Sequence, residues 1–350
     1  MENLIEESEE ELQMEGEEDN DSDSEDNEAW PINSKEEKIV WNKVLIPNLI
    51  YLQSYCPKCK RNTFSINEAQ KVDIINPYFL RCSNKSCRYK SSMRTYSILK
   101  FVKRIPASIV YAIIKMFIIE KKCAKDIQKT LKRNIHASPN YNTIKKLLKI
   151  IRQCFFEYIK YSYKFKQIVG PPKKNRTVAI DETLIMHEQQ KQIWLVGGID
   201  TTTKAIRLDI VPERNSINLK YFIENHIEPG TNISHYSWPG YSFPNDNDSV
   251  WTHEVHIHGG GDFGYGAHST SHIEQFWGQL KSIIKKNYSI FPKTGFVYYV
   301  QEAEFRYMIS KLEDNKLEKK IWKLFKDVYD LCNFDFMTEE EIIDNNNYDI

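Results

Sequence analysis

The chain has 350 residues, of which 41% are hydrophobic and 13% aromatic, with 48 basic and 48 acidic side chains. That composition supports two or three packed domains and excludes a wholly disordered chain. The zero net charge hides a segregation: residues 1–34 carry 15 acids and no base, residues 335–350 carry 6 acids and no base, and the body between them keeps 48 bases against 27 acids. A basic body with acidic tails points to a polyanionic partner, set against the plainer reading that the tails only aid solubility. The start lacks a basic region followed by an apolar run, so no secretory signal is expected. The most apolar stretch, Ile109 to Ile119, is broken by Lys115 and is too short to span a membrane.

In chain order, residues 1–34 read as a disordered acidic leader, because they bury too little apolar surface to offset ordering entropy. Residues 35–95 read as a zinc ribbon. Cys56 and Cys59 form one short-spaced pair, Cys82 and Cys87 another, and 22 residues separate them. Two knuckles that each offer two thiolates suit tetrahedral Zn²⁺, and paired cysteines without a signal peptide favour metal over disulfides. Cys123, Cys154 and Cys332 stand alone and read as small apolar residues.

Residues 96–170 read as a basic helical region. Ile98-Leu99-Val102, Val110-Ile113-Ile114-Phe117 and Ile144-Leu147-Leu148-Ile151 recur at helical spacing. From Arg88 to Arg152 there are 17 bases and only two acids, Glu120 and Asp126. A helix over 124–131, a turn at Ser138-Pro139-Asn140 and a helix over 141–155 resemble a helix-turn-helix. Asn142, Lys145, Lys146 and Lys149 would then lie on the recognition helix, the asparagine near base edges and the lysines at phosphates. The competing reading is a solvated basic bundle.

Residues 170–175 are a linker by their Gly and Pro. Beyond it, strands are expected over 177–183, 192–200 and 204–211, with Thr201-Thr202-Thr203 as a tight connection. A helix over 216–227, a short strand over 232–236 and an extended segment over 250–258 follow. A Gly-rich loop then leads to helices over 271–287 and 297–312, and 316–350 reads as a terminal helix with an acidic tail. The fold class is α+β, and this order of elements is that of an RNase H-like domain over 171–315. Asp181 at the end of an apolar strand is unusual unless paired or cation-bound. On the helix that follows the loop, Ile273, Phe276, Trp277, Leu280 and Ile284 form an apolar stripe, while Glu274, Gly278 and Lys281 line the adjacent face. His253, His256 and His258 could bind a metal but more simply position the backbone or contact DNA. Gly259 to Gly266 lacks the Lys-Ser/Thr ending of a phosphate loop.

Asp181-Glu182-Thr183, the strand Trp194 to Asp200, Gly230-Thr-Asn-Ile, Trp238-Pro-Gly-Tyr241, the segment His268 to Lys281 and Glu302-Ala-Glu-Phe-Arg306 together resemble the Merlin-type DDE transposases and their bacterial insertion-sequence relatives. The resemblance covers about 50–312. It implies an RNase H-like DDE domain whose acids hold two Mg²⁺ or Mn²⁺ ions for phosphoryl transfer on DNA. Residue by residue, Asp181 matches the first acid, Glu274 the third, and Lys281 a base near the DNA backbone. The second acid should stand two residues before Trp238, where this chain has Tyr236. Tyrosine is neutral at pH 7 and a poor ligand for hard cations, so the resemblance implies ancestry more firmly than activity. Asp246, Asp248 and Asp262 are the acids that could stand in.

The resemblance implies a transposase or a transposase-derived DNA-binding protein, with structural Zn²⁺, with Mg²⁺ or Mn²⁺ if active, and with double-stranded DNA as partner. Terminal inverted repeats are the candidate target and a homo-oligomer a possible state. It would act inside the cell, in the nucleus if the host is eukaryotic. The alternative is a zinc-ribbon transcription factor or interaction module without nuclease ancestry.

Overall fold

The computed structural model describes residues 32–48, 50, 55–61, 64–70, 73–163, 177–188, 191–241, 250–256, 270–287, 296–310 and 312–332. Residues 1–31 of the acidic leader, the linker, the Gly-rich loop and the acidic tail named above lie outside them, as do Asp246, Asp248, Asp262 and His258, whereas the leader's last residues, 32–34, are ordered into the start of a helix. No helix among the described residues is long and apolar enough to cross a membrane.

Helix α1 (Ser34–Val40) opens on Asn33, whose side chain accepts from the Glu36 amide at 2.9 Å, and runs on through a wider turn at Trp41–Leu45. Its Glu37 is fully buried. That carboxylate accepts from the backbone amides of Ala107 (2.8 Å) and Ser108 (3.3 Å) and from the Trp41 indole (3.1 Å). It thereby caps α2 (Ala107–Ile118) from 70 residues away, at a helix whose own N-cap, Pro106, offers no side-chain acceptor.

Strands β1 (Phe64–Glu68), β2 (Tyr78–Cys82) and β3 (Lys90–Ser92) form a three-stranded antiparallel sheet in that order, with the two cysteine pairs at one end. The helix expected to begin at Ile98 is instead a pair of short 3₁₀ turns, Met93–Tyr96 and Ile98–Phe101. Ser92 and Ser97 each accept a hydrogen bond from the amide two residues on, which restarts the backbone and stops a longer helix from propagating. Helix α3 (Ala124–Asn134) and helix α4 (Tyr141–Tyr163) follow as expected. The turn between them uses the left-handed His136 (φ 53°), and the Asn140 side chain caps α4 through the Asn142 amide at 2.8 Å.

The second sheet has five strands: β4 (Thr177–Glu188), β5 (Lys191–Asp200), β6 (Ile206–Val211), β7 (Asn232–Tyr236) and β8 (Thr252–His256). Their order is β6-β5-β4-β7-β8, antiparallel from β6 to β4 and parallel from β4 to β8. The β5–β6 turn is set by Asp200, whose carboxylate accepts from the Thr202 and Thr203 amides at 2.8 and 3.0 Å, and by Lys204 at φ 61°. Helix α5 (Ser216–His226), capped by Asn215, covers one face of the sheet through Leu219, Phe222 and Ile223, against Val178, Ile180 and Ile233. Helices α6 (Ser271–Asn287) and α7 (Phe296–Ile309) cover the other, where Ile273, Phe276, Leu280, Val300 and Ala303 meet Ala179, Leu195 and Leu208. With both faces covered, β4 is apolar at successive positions instead of alternating.

Strand β4 is longer than the sequence suggests. It continues past Thr183 to Glu188, pairing with β5 back to Lys191 across a register shift between Leu184 and Met186. Asp181 therefore sits within the strand and not at its end.

Helix α8 (Asp314–Cys332) packs on α4 and the region of α2. Tyr111 stacks on Trp322 with centroids 5.5 Å apart and donates to Glu318 at 2.5 Å. A buried charge cluster fastens α4 to α7: Glu302 accepts from Arg152 and Arg306, both at 2.7 Å, and Arg306 also donates to the carbonyls of Phe117 and Ile118 at the end of α2. The Glu302-Ala-Glu-Phe-Arg306 segment is thus a junction between the helical region and the sheet. Glu304 continues it, with its carboxylate 3.7 Å from Arg207 of β6.

Candidate functional site

In the parallel register, Thr177 stands beside Asn232, Val178 beside Ile233 and Ala179 beside Ser234. Two residues further along each strand come Asp181 and Tyr236. Side chains alternate, so both residues share the α6 face with Ala179 and Ser234. From above, the first turn of α6 brings Glu274. The positions carried over from sequence as first, second and third acid therefore converge.

Their contacts are specific. The Tyr236 hydroxyl donates to the Glu274 carboxylate and accepts from the Thr270 hydroxyl at 2.9 Å. Burial and that carboxylate push the Tyr236 phenol up to about 12, so it is a donor at neutral pH. Asp181 accepts from the Trp277 indole N–H at 3.0 Å. Its carboxyl is pushed up to about 6, first by burial and then by the neighbouring charge of Glu182. Trp277 lies one helical turn beyond Glu274, so α6 holds both acids, one through its own residue and one through an indole.

The sheet makes room for that indole at Gly197. A Cβ there would come within 2.6 Å of the Trp277 ring. The sequence marked Trp277 as part of an apolar stripe. Its ring is indeed buried, but its N–H also positions Asp181, and the signal that could have revealed this is the pairing of Gly197 directly across from Asp181 on β5.

Around the site, His235 stacks on Tyr241 at 4.2 Å, and its Nε2 meets His253 Nδ1 at 3.2 Å. Burial pushes His235 down, toward the neutral form. His256 is buried and meets Ser234 Oγ at 3.0 Å. His253 and His256 thus turn to different partners. Lys281 is exposed on α6. On the opposite face of β4, Glu182 is buried and paired with Arg214, a contact that sequence reading did not anticipate. Its only trace there is strand alternation, which turns Glu182 away from Asp181.

Among the described residues, the one group able to supply three or more His, Cys, Asp or Glu ligand atoms to a common ion is Cys56, Cys59, Cys82 and Cys87, with all four sulfurs within 4.8 Å of one another. Cys56 and Cys87 sulfurs lie 3.6 Å apart, and Cys59 and Cys82 sulfurs 3.7 Å apart. A tetrahedral Zn²⁺ with ordinary Zn–S bonds requires sulfurs about 3.8 Å apart, so the four thiols fit the ion. Each knuckle closes on a left-handed residue directly after its second cysteine, Lys60 at φ 58° and Arg88 at φ 54°. The Arg61 backbone amide draws the Cys59 thiol down to about 6, whereas burial pushes Cys87 up to about 11. Asp181, Tyr236 and Glu274 do not make a comparable set. The middle position is a phenol already committed to Glu274, which is not the donor set that hard divalent cations take.

On the helical side, Asn142, Lys145, Lys146 and Lys149 are all exposed on α4, while Ile144, Leu147, Leu148 and Ile151 are buried. Lys125, Lys129, Lys132 and Arg133 of α3 are exposed as well.

Residues 158–308 match the family model described as the ISXO2-like transposase domain. The match supports an insertion-sequence transposase family. It runs from the last turns of α4 through the five-stranded sheet to α7, and so takes in Asp181, Tyr236, Glu274 and the transposase-like domain that carries them. No curated protein matches the chain. Among solved structures, the chain is similar to the simian T-cell lymphotropic virus intasome in complex with PP2A regulatory subunit B56 gamma (16% identity, 57% of this chain and 69% of that chain, TM-score 0.32). It is also similar to the HTLV-2 integrase catalytic core domain in complex with magnesium, in its dimeric form (14% identity, 40% of this chain and 88% of that chain, TM-score 0.29). At such TM-scores these are partial superpositions only.

Proposed function

We propose that this chain is a transposase-derived DNA-binding protein of the Merlin type, whose RNase H-like domain retains two acids of a DDE centre and no longer cuts DNA. The observation that carries this is the hydrogen bond from Tyr236 to Glu274. DDE chemistry draws on divalent ions that activate a nucleophile and stabilise the leaving oxygen, held by convergent carboxylates. Here the middle carboxylate is a neutral phenol, and its hydroxyl occupies the acceptor that an ion would need. Asp181 is held by Trp277 and Glu274 by Tyr236, so both surviving acids have protein partners. The sheet order β6-β5-β4-β7-β8 supports the RNase H-like reading. The family match, together with Asp181 and Glu274, favours transposase ancestry over a zinc-ribbon factor without it.

Double-stranded DNA is the partner in this reading. The ribbon, held by Zn²⁺ on Cys56, Cys59, Cys82 and Cys87, and the α3–α4 pair would present a basic surface. Asn142 at the start of α4 would reach base edges, while Lys145, Lys146, Lys149 and, on α6, Lys281 would meet phosphates. The test pairs binding with cleavage: the full chain is titrated onto labelled duplex, then incubated with it in Mg²⁺ or Mn²⁺. Salt-sensitive binding without nicking is expected. Robust nicking that Asp181→Ala abolishes would overturn the inactive reading and turn attention to Asp246, Asp248 and Asp262.

A further inference from the structure

On the α5 face of the sheet, behind Asp181, the chain builds a second arrangement. Arg214 lies in the loop from β6 to α5. Its Nε and Nη2 both face one carboxylate oxygen of Glu182, each at 3.2 Å, and the Glu182 side chain is 1% exposed. Trp238 lies against the guanidinium, 4.3 Å from ring centroid to Cζ, and Trp194 flanks it at 5.6 Å. Trp238 is itself fixed from behind by Gly240, where a Cβ would fall 1.5 Å from the ring. Tyr241 closes the floor beside Glu182, with its hydroxyl buried.

The result is a guanidinium held along one edge and across its plane. A guanidinium has five N–H donors. The Nε/Nη2 edge is used by Glu182, and no contact among the described residues occupies the Nη1 side. The Arg214 side chain is 32% exposed, so part of it reaches solvent. A preorganised, partly open guanidinium stacked on an aromatic ring loses little entropy on binding and matches the geometry of a phosphodiester.

We propose that Arg214 is a DNA-phosphate-binding residue, oriented by Glu182, Trp238 and Gly240, that holds a backbone phosphate of duplex DNA at the loop from β6 to α5. This rests on the DNA-binding reading above. If Arg214 served only to neutralise Glu182, replacing the pair with neutral amides would restore binding and leave the salt slope unchanged. If it binds phosphate, the slope falls with the loss of Arg214 and not with the loss of the Glu182 charge.

The experiment measures binding of the full chain to a fluorescent duplex across a series of KCl concentrations, for wild type, Arg214→Gln, Arg214→Lys and Glu182→Gln. Arg214→Gln is expected to weaken binding roughly tenfold and to lower the salt slope by about one. Arg214→Lys should keep most of the slope and lose part of the affinity. Glu182→Gln should keep the full slope, since the Arg214 charge stays, and lose a smaller part of the affinity, since its orientation is loosened. Should Arg214→Gln alone fail to fold, the double variant Glu182→Gln/Arg214→Gln replaces the ion pair with a neutral amide pair and should show the same loss. Wild-type affinity and slope in the folded Arg214 variants, or equal losses from Glu182→Gln and Arg214→Gln, would overturn the proposal. A wild-type chain that fails to bind duplex at low salt would instead refute the DNA-binding reading itself.

Discussion

The Tyr236 hydroxyl donates to the carboxylate of Glu274 while accepting from Thr270, so a phenol on β7 completes the hydrogen bonding of an acid on α6. Tyr236→Phe leaves both partners short of a contact and should cost about 1–2 kcal/mol of stability, read as a lower urea midpoint. Tyr236→Asp puts a third carboxylate beside two others. It should destabilise the domain in the absence of divalent ions and recover as Mg²⁺ or Mn²⁺ is added, since ions that bind only the native state stabilise it. Wild type should ignore those ions. Titration is preferable to chelation, which would also strip the cysteine site. A wild-type melting temperature that climbs with Mg²⁺ as steeply as the variant's would contradict the assignment.

Asp181 sets a pH dependence whose sign is fixed by its environment. Its carboxyl titrates at about 6 in the folded protein, against about 3.9 for an unfolded aspartate. Between these values the native state binds more protons, so this residue's contribution to stability is full below pH 4 and is lost as pH rises through 6. Asp181→Asn keeps an acceptor for Trp277 without the charge. It should be more stable than wild type at pH 7 by up to about 3 kcal/mol, with the gap closing toward pH 4. Urea unfolding at pH 4, 5.5 and 7 measures this, and a gap that does not change with pH would refute it.

Glu302 is 1% exposed and lies between Arg152 of α4 and Arg306 of α7. Removing it takes a carboxylate partner from the buried Arg306 and from the part-buried Arg152. Glu302→Ala is expected to cost about 3–5 kcal/mol. Because the cluster joins the helical region to the sheet, circular dichroism and tryptophan fluorescence should report a single unfolding transition in wild type. A loss under 1 kcal/mol would mean that the junction is held by its apolar contacts alone.

The cysteine cluster predicts metal content. Purified chain should carry about one Zn²⁺, as tetrahedral coordination by four thiolates dictates. Cys59→Ser should lose it and lose the ribbon's order with it, since such small sheets depend on their metal. Elemental analysis decides this: equal zinc in wild type and variant would exclude Cys59 as a ligand.

Much of this molecule was legible in local sequence, wherever the cause is itself local. Cys56, Cys59, Cys82 and Cys87 announce their cluster because a knuckle needs only short spacing. Helices α4 and α6 follow from periodicity, and Tyr236 could be placed by counting back from Trp238. Three strands, a helix and a strand in succession already suggested the order of the larger sheet.

What the tertiary structure alone decided lies between residues distant in sequence. Spacing cannot reveal that Trp277 reaches Asp181, because that depends on the sheet leaving room at Gly197. Nor does any local pattern show that Glu37 caps a helix beginning at Ala107, that Arg214 pairs with Glu182, or that Glu302 joins two arginines more than a helix apart. Periodicity records which face of an element is apolar. Which charged groups meet across two packed faces is set by strand register and helix docking, and only the folded chain supplies those.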